Sequence, residues 1–176
     1  MINFSNLPVR KKSYGGANGN KLSILIDNEI YMLKLPQKAT KNEYLSYANS
    51  SISEYIGSHI YNLLKINAQE TLLGLYTYNN VERISVACKD FEKNGYVLKD
   101  FASVKNQIID SSSNGYGTEL KDILETIENQ HIIDPIELSN HFWNMFIIDA
   151  LIGNWDRHNG NWGFLYNQET DDIMGI

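Results

Sequence analysis

Apolar positions along this chain change their period once. In the first half they form short β-favouring runs, Leu22 to Ile26 and Ile30 to Leu35 around Asp27-Asn28, then Glu70 to Tyr76 and Arg83 to Cys88 around Asn79-Asn80. Runs of this kind broken by Asn and Asp predict two hairpins. Between them Ile52, Tyr55, Ile56, Ile60, Leu63 and Leu64 recur at helical spacing. They predict an amphipathic helix over about 51–65, with Ser50 or Ser51 as its N-cap. His59 falls near the same face and reads as packing. The strand pattern ends at Cys88-Lys89-Asp90-Phe91.

The second half is helical. Leu120, Ile123, Leu124 and Ile127 share one face of a helix expected over 118–130. Asp134-Pro135-Ile136-Glu137 combines an N-cap, a proline at the first helical position and a glutamate closing a capping box. The helix it starts should run to about Ile152. Phe142, Trp143, Phe146, Ile147, Ile148 and Leu151 surround most of it, which predicts a buried central helix. His141 and Asp149 within it read as satisfied polar groups. Trp162 to Tyr166 then reads as a strand, Asn167 to Asp172 as a polar turn, and Ile173-Met174 as the start of a return strand. The Ser- and Gly-rich stretch 111–118 reads as a linker. The expected organisation is α+β: a β-rich lobe over 1–90 with one helix, a hinge and linker over 91–117, and a partial helical lobe over 118–176.

Composition narrows the function. Of 176 residues 43% are hydrophobic, enough for a core. Fifteen Lys and Arg against 21 Asp and Glu leave a formal net charge of −6, which argues against a nucleic-acid binder held by phosphate neutralisation. The basic run Arg10 to Lys12 reads as a solvated N-terminal tail. A single cysteine, Cys88, excludes an internal disulfide framework and a Cys-based zinc site, and reads as a small buried side chain. With no signal peptide and no long apolar span, the cytoplasm is the expected location and no membrane partner is expected.

The chemistry concentrates at Asp156-Arg157-His158-Asn159-Gly160-Asn161. An Asp and an Asn five residues apart is the spacing of kinase-type catalytic loops, where the Asp holds an acceptor hydroxyl and the Asn oxygen takes a Mg²⁺ bound to ATP. Upstream, Gly15, Gly16, Ala17, Asn18, Gly19 and Lys21 form a Gly-rich turn before a strand, suited to close approach of the backbone to phosphates. Lys34 lies in an otherwise apolar strand, where its ammonium needs anions. ATP phosphates and a helix glutamate would supply them, and Glu54 is the candidate. Cys88, Lys89 and Asp90 end the sheet where a hinge would offer peptide groups to adenine. Asp171 and Asp172 sit on the turn between the last two strands, where they would point away from a cleft.

Together these segments resemble the HipA-like serine/threonine kinases, especially the compact members, over roughly residues 13–176. The resemblance rests on residues 13–21, Leu33-Lys34-Leu35-Pro36, Glu54 with its apolar helix, and the Asp-Arg-His-x-x-Asn loop. It implies a protein-kinase-like two-lobe fold, ATP and Mg²⁺ as cofactors, Asp156 as catalytic base, Asn161 as metal ligand, Lys34 and Glu54 as the phosphate-binding pair, and Gly16-Ala17 over the phosphates. Ser13 is the nearest match to the family's autophosphorylated serine. The resemblance further implies a toxin of a toxin–antitoxin module, with an aminoacyl-tRNA synthetase as protein substrate and a small antitoxin as partner. The family's second metal-binding Asp would lie past Ile176. A catalytically inactive nucleotide-binding fragment, or a subunit completed by another chain, is therefore the alternative. A lower alternative is a phosphoinositide-kinase-like lipid kinase, which shares the loop motif and in which His158 could serve as the base.

Overall fold

Both hairpin turns hold their central residues at positive φ: 48° and 67° at Asp27 and Asn28, 49° and 60° at Asn79 and Asn80. A two-residue type I′ turn demands that backbone, and Asn and Asp tolerate it better than most side chains. A computed structural model describes residues 1–14, 21–35, 50–109 and 113–174. The chain divides into two units, Met1–Asp90 and Phe91–Ile176.

In the first unit the turns join β3 (Lys21–Ile26) to β4 (Glu29–Lys34) and β5 (Thr71–Tyr78) to β6 (Val81–Lys89). Two short strands complete the sheet: β1 (Ile2–Asn3), parallel to β5, and β2 (Val9–Arg10), antiparallel to β3. The spatial order is β1-β5-β6-β4-β3-β2. The N-terminal run read as a solvated tail is thus partly built into the sheet. Between β1 and β2 a 3-10 turn at Phe4–Asn6 sends Phe4 into the core with Ile24, Tyr31, Leu33 and Ala87. Gly74 makes that possible, since a Cβ there would lie 2.5 Å from both the Phe4 ring and the Ile2 carbonyl oxygen.

Helix α1 (Ser50–Leu63) packs on β5 and β6. The face it presents to them is not the apolar one read from spacing. Ser51 and Tyr61 are buried, Glu54 and Ser58 reach sheet side chains, and Ser58 Oγ lies 2.5 Å from Thr71 Oγ1. Ile56 is 50% exposed and Leu63 81%. Polar partners on the sheet, Lys34 and Thr71, decide the rotation of the helix. His59 lies exposed, held by the Tyr55 carbonyl at 2.8 Å.

The second unit carries an antiparallel sheet in the order β7-β8-β9, with β7 Tyr96–Asp100, β8 Gly163–Asn167 and β9 Ile173–Met174. Its helices are α2 (Phe101–Ile108), α3 (Leu120–Asn129) and α4 (Pro135–Ile152). The stretch 91–117, read as hinge and linker, therefore holds a strand and a helix. Asp100 makes the transition between them by accepting the Ser103 N–H as N-cap. Phe101, fully buried, stacks on Trp162 with ring centroids 4.1 Å apart.

The start and stop of α4 match the sequence reading. Asp134 accepts the Ile136 and Glu137 N–H groups, both at 3.0 Å, and Gly153 ends the helix at φ 68°. Its burial does not match. Leu138, Phe142, Met145 and Ile148 are buried on one side, whereas Ile136, Phe146, Ile147 and Leu151 on the other are 55–74% exposed. No helix among the described residues is long and apolar enough to cross a membrane.

Candidate active site

In the first unit, strand alternation places the candidate residues. On β4, Tyr31 and Leu33 enter the core, so Lys34 points to the face on which α1 lies. There its Nζ meets Glu54 Oε1 at 2.5 Å, each side chain about one-third exposed. The same carboxylate oxygen accepts the Cys88 thiol at 3.3 Å. Burial pulls the Lys34 pKa down, but the Glu54 charge and the hydrogen bond to Glu54 outweigh it and hold the ammonium above its ordinary value. Burial and then the Glu54 charge push the Cys88 thiol well above its usual range, so it stays a protonated donor. Lys21 stands directly opposite Lys34 in the β3–β4 register. Like charges so placed repel, and the Glu54 carboxylate offsets that repulsion at Lys34.

Ser13 is exposed between Lys12 and Tyr14, and both neighbours hold Asp90 Oδ2 at 2.7 Å. Burial and the bond to Asp90 raise the Tyr14 pKa to about 12. Three of the peptide groups that sequence assigned to adenine are engaged elsewhere. The Lys89 N–H donates to the Glu70 carbonyl, the Lys89 carbonyl accepts from Gln69, and the Asp90 N–H donates to Ile30. The Lys89 ammonium pairs with Glu29 at 2.6 Å and Glu70 at 3.2 Å. The turn residues Gly15, Gly16, Ala17, Asn18 and Gly19 lie outside the described residues.

In the second unit the loop after α4 is fixed from the helix outward. Asp149, 6% exposed, accepts Arg157 Nε at 2.6 Å, Arg157 Nη2 at 3.0 Å and Asn154 Nδ2 at 2.8 Å. Such a two-pronged, charge-assisted pair fixes orientation as well as position. Arg157 Nη1 continues to the Asn161 carbonyl at 3.2 Å. Asn161 Nδ2 donates to the Asp156 carbonyl at 2.7 Å, which turns its amide oxygen away from that bond. The Asp156 side chain is exposed, and its N–H is held by Asn154 Oδ1 at 3.2 Å. His158 Nδ1 accepts the Gly160 N–H at 3.1 Å. The hydrogen of a neutral His158 ring therefore sits on Nε2, and the ring can only donate outward.

Among the described residues no three or more His, Cys, Asp or Glu side chains cluster to hold a metal ion. Mg²⁺ keeps several waters and takes only one or two protein oxygens beside substrate phosphates, and Asn161 Oδ1 fits as one of them. Asp171 and Asp172 lie exposed at the β8–β9 turn, where Asp171 accepts the Tyr166 hydroxyl at 2.5 Å. Sequence reasoning passed over Asn159, Lys105 and the support role of Asp149. The spacing of Asp149 and Arg157 was visible, but its meaning depends on how the chain turns at Gly153.

His141 lies over Trp162, ring centroids 6.4 Å apart. Burial, and behind it the Arg157 charge, hold its pKa at about 4. Its folded pKa lies below the unfolded value, so the unfolded chain binds the extra proton first. Stability is then full above pH ~6.5 and falls as pH drops toward 4. Between pH 7 and 5 the wild type is expected to lose about 1 kcal/mol after discounting for partial exposure. Urea melts should show His141→Gln losing less over that interval, and parallel losses in both proteins would contradict the assignment.

No family model matches the chain. Over 155 residues, 88% of its length, it is 52% identical to serine/threonine-protein kinase CtkA of Helicobacter pylori and covers 46% of that protein. The crystal structure of the Helicobacter pylori proinflammatory kinase CtkA matches 99% of this chain with a TM-score of 0.86 at 47% identity. The fold is kinase-like. This chain covers 58% of the solved kinase, and so spans about half the length of the relatives it matches. In a kinase-like fold the strand lysine with its helix glutamate, and the Asp and Asn of the loop after the central helix, are the parts on which phosphoryl transfer depends.

Proposed function

We propose that this chain acts as a serine/threonine protein kinase, transferring the γ-phosphate of ATP to a protein hydroxyl. The observation that supports the reading most is the Lys34–Glu54 pair at 2.5 Å, formed across 20 residues of sequence. Protein kinases must have that pair in place. Lys34, with Lys21 beside it, would bind phosphate oxygens, and Glu54 would hold the Lys34 ammonium in reach of them. Asn161 Oδ1 would help hold Mg²⁺, which would supply positive charge against the phosphates. The exposed Asp156 carboxylate would orient the acceptor hydroxyl and take its proton as the oxygen bonds to the γ-phosphorus and the bond to the β-phosphate oxygen breaks, leaving ADP. Arg157, tied to Asp149, would keep Asp156 and Asn161 in register.

The donor state of His158 disfavours it as a base and so weighs against the lipid-kinase alternative. The finer reading, a HipA-like toxin with an antitoxin partner, an aminoacyl-tRNA synthetase substrate and autophosphorylation at Ser13, rests on sequence resemblance, to which the exposure of Ser13 adds support. The Gly15–Gly19 turn over the phosphates also enters from sequence alone.

Calorimetric titration of the purified chain with Mg·ATP, run beside a radiolabelled γ-phosphate transfer assay, tests the proposal. Binding with transfer supports it. Binding without transfer favours the non-catalytic nucleotide-binding alternative, and no binding overturns both.

A further inference from the structure

We propose that Lys105 and Asn159 are positioning residues that latch the catalytic loop to the segment 115–117, an inference that rests on the kinase reading of that loop. Asn159 is the anomaly that prompts it. The loop around it is open, with Trp155 97% exposed and Asp156 and Asn161 also exposed, yet Asn159 is 1% exposed. Its Nδ2 donates to the carbonyls of Gly115 and Gly117, each at 2.8 Å, and its own carbonyl accepts the Ala102 N–H at 2.9 Å. Side chain and backbone of one residue are therefore both held, midway between Asp156 and Asn161.

The Gly117 carbonyl is shared. It also accepts Lys105 Nζ at 2.7 Å, and Lys105 is fully buried, its charge answered by Asp122 at 3.5 Å and Glu119 at 4.0 Å. A buried ammonium is costly without such partners, so its place here calls for a role. It pins the strand of chain that Asn159 grips. Gly115 fixes the other end: its φ is +81°, and a Cβ there would lie 1.9 Å from the Ala102 carbonyl oxygen. The segment is thereby wedged against the start of α2, whose Phe101 and Ala102 N–H groups hold the Trp162 and Asn159 carbonyls at 2.9 Å each. Neither Lys105 nor Asn159 need touch substrate. Their effect is to hold Asp156 and Asn161 at one separation, and small misplacements of such groups cost up to about a hundredfold in rate.

The test compares wild type, Asn159→Ala and Lys105→Met by hydrogen–deuterium exchange and by kinetics. Expected are faster exchange confined to the loop 156–162 and the segment 115–117, an Mg·ATP affinity within about twofold of wild type, and a kcat lowered roughly tenfold or more without a matching rise in KM. Unchanged loop protection in folded variants overturns the latch. Equal loss of protection throughout α3 and α4, or unfolding of both variants by circular dichroism, also overturns it, because the pair would then support the fold and not the loop. If the wild type itself transfers no phosphate, the kinase reading fails, while the exchange data still decide whether the latch exists.

Discussion

Replacing Asp156 by Asn is expected to leave Mg·ATP affinity unchanged and to lower phosphoryl transfer by roughly two to four orders of magnitude, the usual worth of a positioned base. The structure explains why the two effects should separate. Loop contacts at this residue run through its backbone: its N–H to Asn154 and its carbonyl to Asn161. The carboxylate is exposed, so an amide of the same shape leaves the loop in place and removes only the proton acceptor. A rate assay at saturating ATP, paired with calorimetry, reads both quantities. A variant with wild-type turnover would remove Asp156 from the chemistry. If His158→Ala then abolished transfer, the lipid-kinase-like assignment would take its place.

Lys34→Ala should do the reverse. The ammonium contacts Glu54 and lies beside Cys88 at the end of a strand whose neighbour Leu33 carries the core packing. An ion pair whose side chains are about one-third exposed contributes about 0–1 kcal/mol to stability, so the melting temperature should barely move. A charge-assisted bond to a phosphate is worth about 1.5–3 kcal/mol, so the Kd for Mg·ATP should rise by roughly ten- to hundredfold. Unchanged affinity in a folded Lys34→Ala protein would place the nucleotide elsewhere or nowhere.

These expectations began in the sequence, and how far each could be read depended on how local its cause is. Asp27-Asn28, Asn79-Asn80 and the Asp134-Pro135 start are local devices, and the structure uses each of them as read, while the αL Gly153 ends the helix at the predicted Ile152. Lys34 was legible because a charge in an apolar strand needs an explanation, and Glu54 because it sits on the next helix. The rotation of α1 was not. Periodicity shows that Ile52, Ile56 and Leu63 share a side, but only the sheet supplies Thr71, Cys88 and Lys34 to draw Ser58 and Glu54 inward.

The stretch 91–117 misled for a related reason. Its Ser- and Gly-rich end dominates the composition, while Asp100 and Ser103, the cap that starts α2, signal only over four residues. Asn159 was the least legible of all. Within the Asp-Arg-His-x-x-Asn motif it is an unspecified position, and its burial depends on Gly115 and Gly117, more than forty residues earlier. The exposed apolar side of α4 marks another limit. Sequence shows an apolar helix but not which of its sides the rest of the unit covers.

The most direct test of the account is intact-mass analysis of the chain after incubation with Mg·ATP, alone and with a protein substrate, for wild type, Lys34→Ala and Asp156→Asn. The account predicts phosphate on serine or threonine with the wild type and background with either variant, Lys34→Ala failing through lost binding and Asp156→Asn despite retained binding. Equal incorporation by all three proteins, or none by a wild type that also fails to bind ATP, would contradict it.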